Sequence, residues 1–246
     1  MTLAATARAR RLAAQRNLLS DRWLPALRRL VSAEERRRIR EAASAIAEGS
    51  ATWAADLPPV WTARMVRILS RFALPLAVEG YVTAHVPAKR LAVDLDSPEL
   101  ASARLRVPIT RWIQRTCDLN SQSDVRRVVA LQRRAAMEWL TVDQIAREIR
   151  QVGIVQSAAR AESLSRTVTI YAYNEGAFRS YQDAGAQGVE WLVTEDDVTC
   201  EECLAMDGKR IGFDGEFAPG GISSQHPPLH QRCRCSLIPV IRGANG

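Results

Sequence analysis

The sequence predicts a mainly α protein with a small C-terminal α+β or β-rich module, its helical N-terminal region being elongated. Three observations lead there. Apolar residues recur at steps of three and four through most of residues 2–184, the spacing that lines one face of a helix. Aromatics make up only 6% of the 246 residues and alanine inflates the hydrophobic share, so modest helical cores are expected rather than one thick globule. Past residue 188 the pattern changes. Glycines and prolines between 207 and 228 forbid a long helix, and four of the five cysteines fall between 200 and 235.

The elements follow in order. Residues 2–31 read as a helix interrupted near Pro25. "SAEERRRIREAASAIAEGS" reads as a second helix, with Ser32 as N-cap, Glu35 completing a capping box and Gly49 as the stop. Its arginine-dense outer face is either a solvated surface or a contact for phosphates or an acidic partner. Residues 59–80 read as a third helix, with Trp61, Met65, Ile68, Phe72 and Leu76 as one apolar core stripe and Pro75 as a kink. His85 stands alone beyond it and reads as structural. In "RLAVDLDSP", Leu91, Val93 and Leu95 alternate as in a strand, but the segment is too short to assign.

"ITRWIQRTC", after Pro108, is helical in pattern, and its lone Cys117 reads as a small buried side chain. "SQSDVRRVVALQRRAAMEWL" reads as a further helix capped near Ser121 or Ser123. Thr141 starts the next, Gln144 completes a capping box, Ile145, Ile149 and Val152 face inward, and Gly153 closes it. Residues 155–184 carry the longest pattern, with Leu164, Val168, Tyr171 and Phe178 on one face. The run "TVTI" has poor helix propensity because β-branched side chains lose rotamer freedom, so packing must hold it. Gly185 and Gly188 end this helix. "VEWLV", "KRIGF" and "CSLIPVI" then read as three short strands. The predicted organisation is residues 1–140 as a helical, Arg-rich region, 141–188 as a second helical part and 189–246 as a small Cys/His module.

Charge is uneven along the chain. Residues 1–40 hold eleven arginines against Asp21, Glu34 and Glu35, whereas residues 190–246 hold nine acidic and five basic side chains. A basic head and an acidic tail suit different partners. Arginine placed where a signal peptide's apolar core would lie, and the absence of an 18-residue apolar run, argue against secretion and against a membrane span. Synthesis in the cytosol follows, and there clustered cysteines more often hold metal than form disulfides. No P-loop or dinucleotide fingerprint is present.

Cys200 and Cys203 form C-x-x-C. Twenty-nine residues later come Cys233 and Cys235, with His230 three before Cys233. Two chelating turns joined by a loop of this size are the layout of a structural zinc site, and soft thiolates favour zinc over magnesium or calcium. The ion would supply roughly 10–16 kcal/mol to a module that has few apolar residues of its own. Five donors compete for four places: Cys200, Cys203 and Cys233, plus either His230 or Cys235. The alternatives are one or two disulfides, four unrelated thiols, or a catalytic ion with an open position. In the last case His226, Glu195, Asp196 and Asp197 would be the nearest proton-transfer groups.

The order "RAESLSRTVTIYAYNEGAFRSYQDAGAQGVEW", "TEDDVTCEECLAMDGK", "PPLHQRCRCSLIPV" resembles the phage Mu F-like minor head, or head morphogenesis, family. The resemblance rests on Arg166, Thr167, Asn174, Tyr181, Glu190, Trp191, Thr199, Cys200, Cys203, Asp207, Gly208, Pro227, Pro228, His230, Cys233, Arg234 and Cys235 over about residues 140–240. Val168 stands where the family usually has an acidic residue. The resemblance implies a non-enzymatic minor component of a tailed-phage head. Its implied partners are the portal and the major capsid or scaffold protein, with sequence-independent DNA contact through the Arg-rich N-terminus. It implies a place in the virion's inner head, with a role in head assembly, genome packaging or delivery. A zinc-ribbon nucleic-acid-binding protein and an enzyme or toxin carrying such a module are the competing readings.

Overall fold

The structure, a computed structural model, describes residues 24–48, 52–88, 98–137, 141–194, 197 and 199–241. These are mostly helical, with a small three-stranded antiparallel sheet near the C-terminus. Four long helices come first: α1 (Leu24–Ala47), α2 (Trp53–Ala88), α3 (Pro98–Met137) and α4 (Val142–Asp183). Then follow β1 (Gly188–Leu192), the single-turn α5 (Glu201–Leu204), β2 (Arg210–Ile211), a 3-10 turn (Pro219–Gly221) and β3 (Ser236–Val240). Among the described residues no helix is long and apolar enough to cross a membrane.

The helices are longer than their internal punctuation predicts. Ser32 is not an N-cap: α1 runs through it, and its Oγ instead accepts a hydrogen bond from Arg36 at 2.6 Å. Leu24, Leu27 and Val31 are buried ahead of it, so the apolar stripe is continuous where a break was expected. Pro108 lies inside α3, and neither Ser121 nor Ser123 starts a helix. Ser121 is buried, its hydroxyl 2.9 Å from that of Thr62. Gly153 does not end a helix, because α4 continues to Asp183; one interior glycine costs about 1 kcal/mol, which a helix of 42 residues absorbs. Helix α2 likewise continues through Pro75. Its buried line is Trp61, Met65, Leu69, Ala73 and Leu76, with Ile68 and Phe72 on the flank. The capping box at Thr141 is present: Gln144 Oε1 accepts from the Thr141 N–H at 2.7 Å and Thr141 Oγ1 from the Gln144 N–H at 3.3 Å. Residues 1–23, Gly49, the segment 89–97 and the side chains of His85, Ile145, Ile149 and Val152 lie outside the described part.

The chain forms two compact units. The first comprises residues 26–70 and 110–165. Ala42, Ala43, Ile46 and Trp61 make its small apolar cluster, flanked by Leu57, Val125 and Val129. Beside it lies a buried charge network. Arg38, 1% exposed, donates to Asp124 at 3.2 Å and to the Trp61 carbonyl at 3.0 Å, with Glu34 and Glu35 each 3.7 Å away. Arg64 holds Glu34 at 2.8 Å and Glu41 at 2.6 Å, and Arg160 pairs with Asp124 and with Glu35. The arginine-dense helix therefore has two faces: Arg37 is exposed, but Arg38 is core. Cys117 is fully buried here, as expected of a small apolar side chain, and burial pushes its thiol up to about 12.

The second unit comprises residues 1–25, 71–109 and 166–246. Helices α2 and α4 meet at Gly80 and Gly176, where a Cβ on either would strike the other helix's backbone at the Tyr173 or Ala77 carbonyl. Close approach lets Thr83 Oγ1 reach the Tyr173 hydroxyl at 3.1 Å and the Tyr81 hydroxyl reach Asp183 at 2.9 Å. Helix α4 ends in a Schellman motif. Gly185 adopts φ 71°, its N–H reaches Gln182 O at 3.1 Å, and the Ala186 N–H reaches Tyr181 O at 3.1 Å. The chain then turns into β1, the centre of the β2–β1–β3 sheet, with Trp191 opposite Leu237 and Val189 opposite Ile211. Phe178 and Tyr181 of α4 share one core with Val189, Trp191, Met206, Phe217 and Leu237. The module thus buries more than its own composition suggests, because it borrows the apolar face of α4.

Candidate metal centre

The five predicted donors gather at one edge of this core. Cys200 caps the N-terminus of α5, its sulfur accepting the Cys203 N–H at 3.4 Å. That turn sets the two sulfurs of C-x-x-C side by side. Across from it, the Cys233 N–H closes on the His230 carbonyl at 3.3 Å, so His230-x-x-Cys233 is a second tight turn. His230 Nε2 stands 3.1 Å from both the Cys200 and Cys203 sulfurs, and Cys203 Sγ stands 3.9 Å from Cys233 Sγ. Cys200, Cys203 and His230 form one group of mutually adjacent donors, and Cys203, Cys233 and Cys235 form another. None of the five cysteines, Cys117 included, is in a disulfide.

The arrangement fits a tetrahedral ion. Zinc–sulfur bonds of about 2.3 Å place two ligand sulfurs roughly 3.8 Å apart, close to the 3.9 Å found here. Charge points the same way. Cys233 is held near a pKa of about 3, first by its hydrogen bond with Cys203 and then by that with Cys235. Cys203 is raised by the same sharing with Cys233. Cys235 is pulled downward by Cys203, but Cys233 and burial outweigh this and push it up to about 12. Burial raises Cys200, yet the Cys203 amide and His230 bring it below the usual thiol value. Two of the four thiols are thus lowered and two raised, and a cation among them would favour the thiolate form of each.

The second turn is pinned from three sides. Arg232 adopts φ 65°, and its N–H reaches Thr167 Oγ1 at 3.3 Å. Thr194 Oγ1 donates to the Arg234 carbonyl at 2.8 Å. Asn174, fully buried, donates to Ile170 O at 3.0 Å and Cys235 O at 3.1 Å and accepts from Ser236 Oγ at 3.1 Å. Asp207 Oδ1 accepts the Val193 N–H at 2.9 Å, and Gly208 at φ 73° turns the chain toward β2. Thr167, Asn174, Trp191 and Asp207 are therefore framework for the site. Val168, in the position where an acid was expected, is fully buried.

Of the proton-transfer candidates, the two described ones, Asp197 and His226, belong to neither group of adjacent donors. Asp197 is exposed, and Glu195 and Asp196 lie outside the described residues. His226 is buried, with Nε2 2.7 Å from Glu175 and Nδ1 2.7 Å from the Pro227 carbonyl, its ring against Tyr171 and Phe178. Both ring nitrogens are occupied by acceptors, so His226 anchors the 213–229 loop to α4. Glu175 escaped the sequence reading. Burial works to raise it, but His226 and Arg179 outweigh that and hold it at about 2. Its visible signal was Arg179 four residues on, a spacing that reads equally as a surface pair.

Fold and site together define a helical protein whose C-terminal sheet module is organised around a Cys/His cluster. Residues 127–238 match the family model described as Phage Mu protein F like protein. Over that segment the chain is similar to the phage Mu F-like family, and the likeness begins at 127 rather than near 140. No curated protein and no solved structure matches the chain.

Proposed function

We propose that this is a minor head protein of a tailed phage or a related particle, bound near the portal inside the head, and that its C-terminal module is stapled by a structural zinc ion. The observation that carries the reading is coincidence: the Mu F-like segment, 127–238, is the one that builds and pins the Cys/His cluster. Cys200, Cys203, His230, Cys233 and Cys235 are the residues that would hold the ion. When bound, the metal supplies the positive charge the thiolates lack and cross-links α5 to the start of β3. The chain itself does the rest. Asn174, Thr167 and Thr194 hold the second turn, and the helix–sheet core presents a fixed surface to a partner. A thiolate-rich closed set suits structure rather than catalysis, which is why we read the protein as non-enzymatic. The acidic C-terminal region would dock on the portal or on capsid or scaffold protein, and the arginines of residues 1–40 other than the buried Arg38 would lie by packaged DNA.

The test is co-expression with the portal protein of the same phage or particle, followed by gel filtration and imaging of assembled heads. Co-elution and density at the portal vertex are expected. A protein that ignores the portal but binds duplex DNA tightly at moderate salt would be a nucleic-acid-binding module instead.

A further inference from the structure

We infer that the ion's four ligands are Cys200 Sγ, Cys203 Sγ, His230 Nε2 and Cys233 Sγ, and that Cys235 is an outer thiol belonging to the sheet core. The assignment rests on the metal-staple reading above and makes it specific. His230 carries the clearest sign. Its Nδ1 lies 2.7 Å from the Gln231 carbonyl, so the proton sits there and the bare Nε2 faces the Cys200 and Cys203 sulfurs. That is how ligating histidines are oriented: a backbone acceptor on one nitrogen fixes the tautomer and frees the other.

Cys233 and Cys235 then compete for the last place. Cys233 shares a closed turn with His230, the same four-residue spacing as Cys200-x-x-Cys203, and its sulfur lies 3.9 Å from Cys203. Each turn then offers two donors to one ion. Cys235 stands directly before β3, two residues from Leu237, and alternate residues of a strand share a face. Leu237 is fully buried opposite Trp191, so Cys235 faces the apolar core. Trp191 and Cys235 belong to the same buried core cluster. Cys233 and Cys235 both group with Cys203, so the choice between them rests on the closed His230–Cys233 turn and on the core-facing position of Cys235.

The full-length chain is purified with zinc, and the ion is exchanged for cobalt(II) and for cadmium-113. The expected wild-type result is one ion per chain with three-sulfur, one-nitrogen signatures in the cobalt spectrum and the cadmium chemical shift. Cys235→Ala should keep the ion and both signatures, whereas Cys233→Ser and His230→Ala should lose stoichiometric metal. The wild-type spectra need no variant to fold. A four-sulfur signature, or loss of the ion in Cys235→Ala with retention in His230→Ala, overturns the assignment while leaving the staple standing. A wild-type chain that takes up no metal overturns both.

Discussion

The two compact units bury charge in opposite ways. In the unit built from residues 26–70 and 110–165, cations and anions both come from the chain: Arg38, Arg64 and Arg160 against Glu34, Glu35, Glu41 and Asp124. In the unit that carries the sheet, Cys200, Cys203, Cys233 and Cys235 gather with one imidazole, and in the function proposed above their cation comes from outside. The first arrangement is self-sufficient but fragile to single substitutions, because each removed partner strands a buried charge. The second, with the proposed staple, would make folding of a small module depend on an ion. An arginine-rich composition thus means different things along one chain. Arg38 completes an interior, and Arg37 on the same helix, with more than half of its side chain exposed, faces solvent.

Metal removal should separate the units most strongly. A structural zinc site contributes roughly 10–16 kcal/mol at neutral pH, more than a whole domain usually has to spare. Chelation is expected to expose residues 200–235 to protease and to abolish the near-ultraviolet signal of Trp191, while most far-ultraviolet helix signal stays. Retention of protease resistance after complete metal loss would show that the core shared by α4 and the sheet suffices. The next largest effect is Arg38→Met, which leaves Glu35 and Asp124 buried with less compensation and should cost about 3–5 kcal/mol, read from the denaturant midpoint at unchanged metal content. A loss under about 1 kcal/mol would mean that Arg64 and Arg160 alone neutralise the network.

What the sequence disclosed divides along the same line. The cysteine turns, the three strands, the boundary at Gly185 and the capping box at Thr141 were legible, because each depends on a local rule: ligand spacing, alternation, a positive φ, reciprocal caps. Ser32, Ser121, Pro108 and Gly153 misled for the converse reason. Their local preference is to begin or end a helix; buried neighbours outweigh it at Ser32, Ser121 and Pro108, and the length of α4 carries Gly153. Glu175 with His226 and Arg38 with Asp124 were invisible, since partners 51 and 86 residues apart leave no periodic trace. The meeting of Gly80 with Gly176 is of the same kind.

The smallest effect bears on how far neutral hydrogen bonds, as opposed to charge or metal, hold the clamp to its helix. Asn174, fully buried, spends both amide hydrogens and its oxygen on Ile170, Cys235 and Ser236. Asn174→Ala removes the hydrogen bonds to the Cys235 carbonyl and from the Ser236 hydroxyl, which should cost about 1–3 kcal/mol. The measurement is the denaturant midpoint of the metal-loaded protein. Asn174→Asp keeps the acceptor for Ser236 but sets a carboxylate oxygen where an N–H met the Cys235 carbonyl. It should therefore be the worse of the two, although it is nearly isosteric. If alanine proves worse than aspartate, the site is held by volume rather than by hydrogen bonding. Asn174 would then count as packing, and the clamp's attachment to α4 would rest on Thr167, Thr194 and the apolar core.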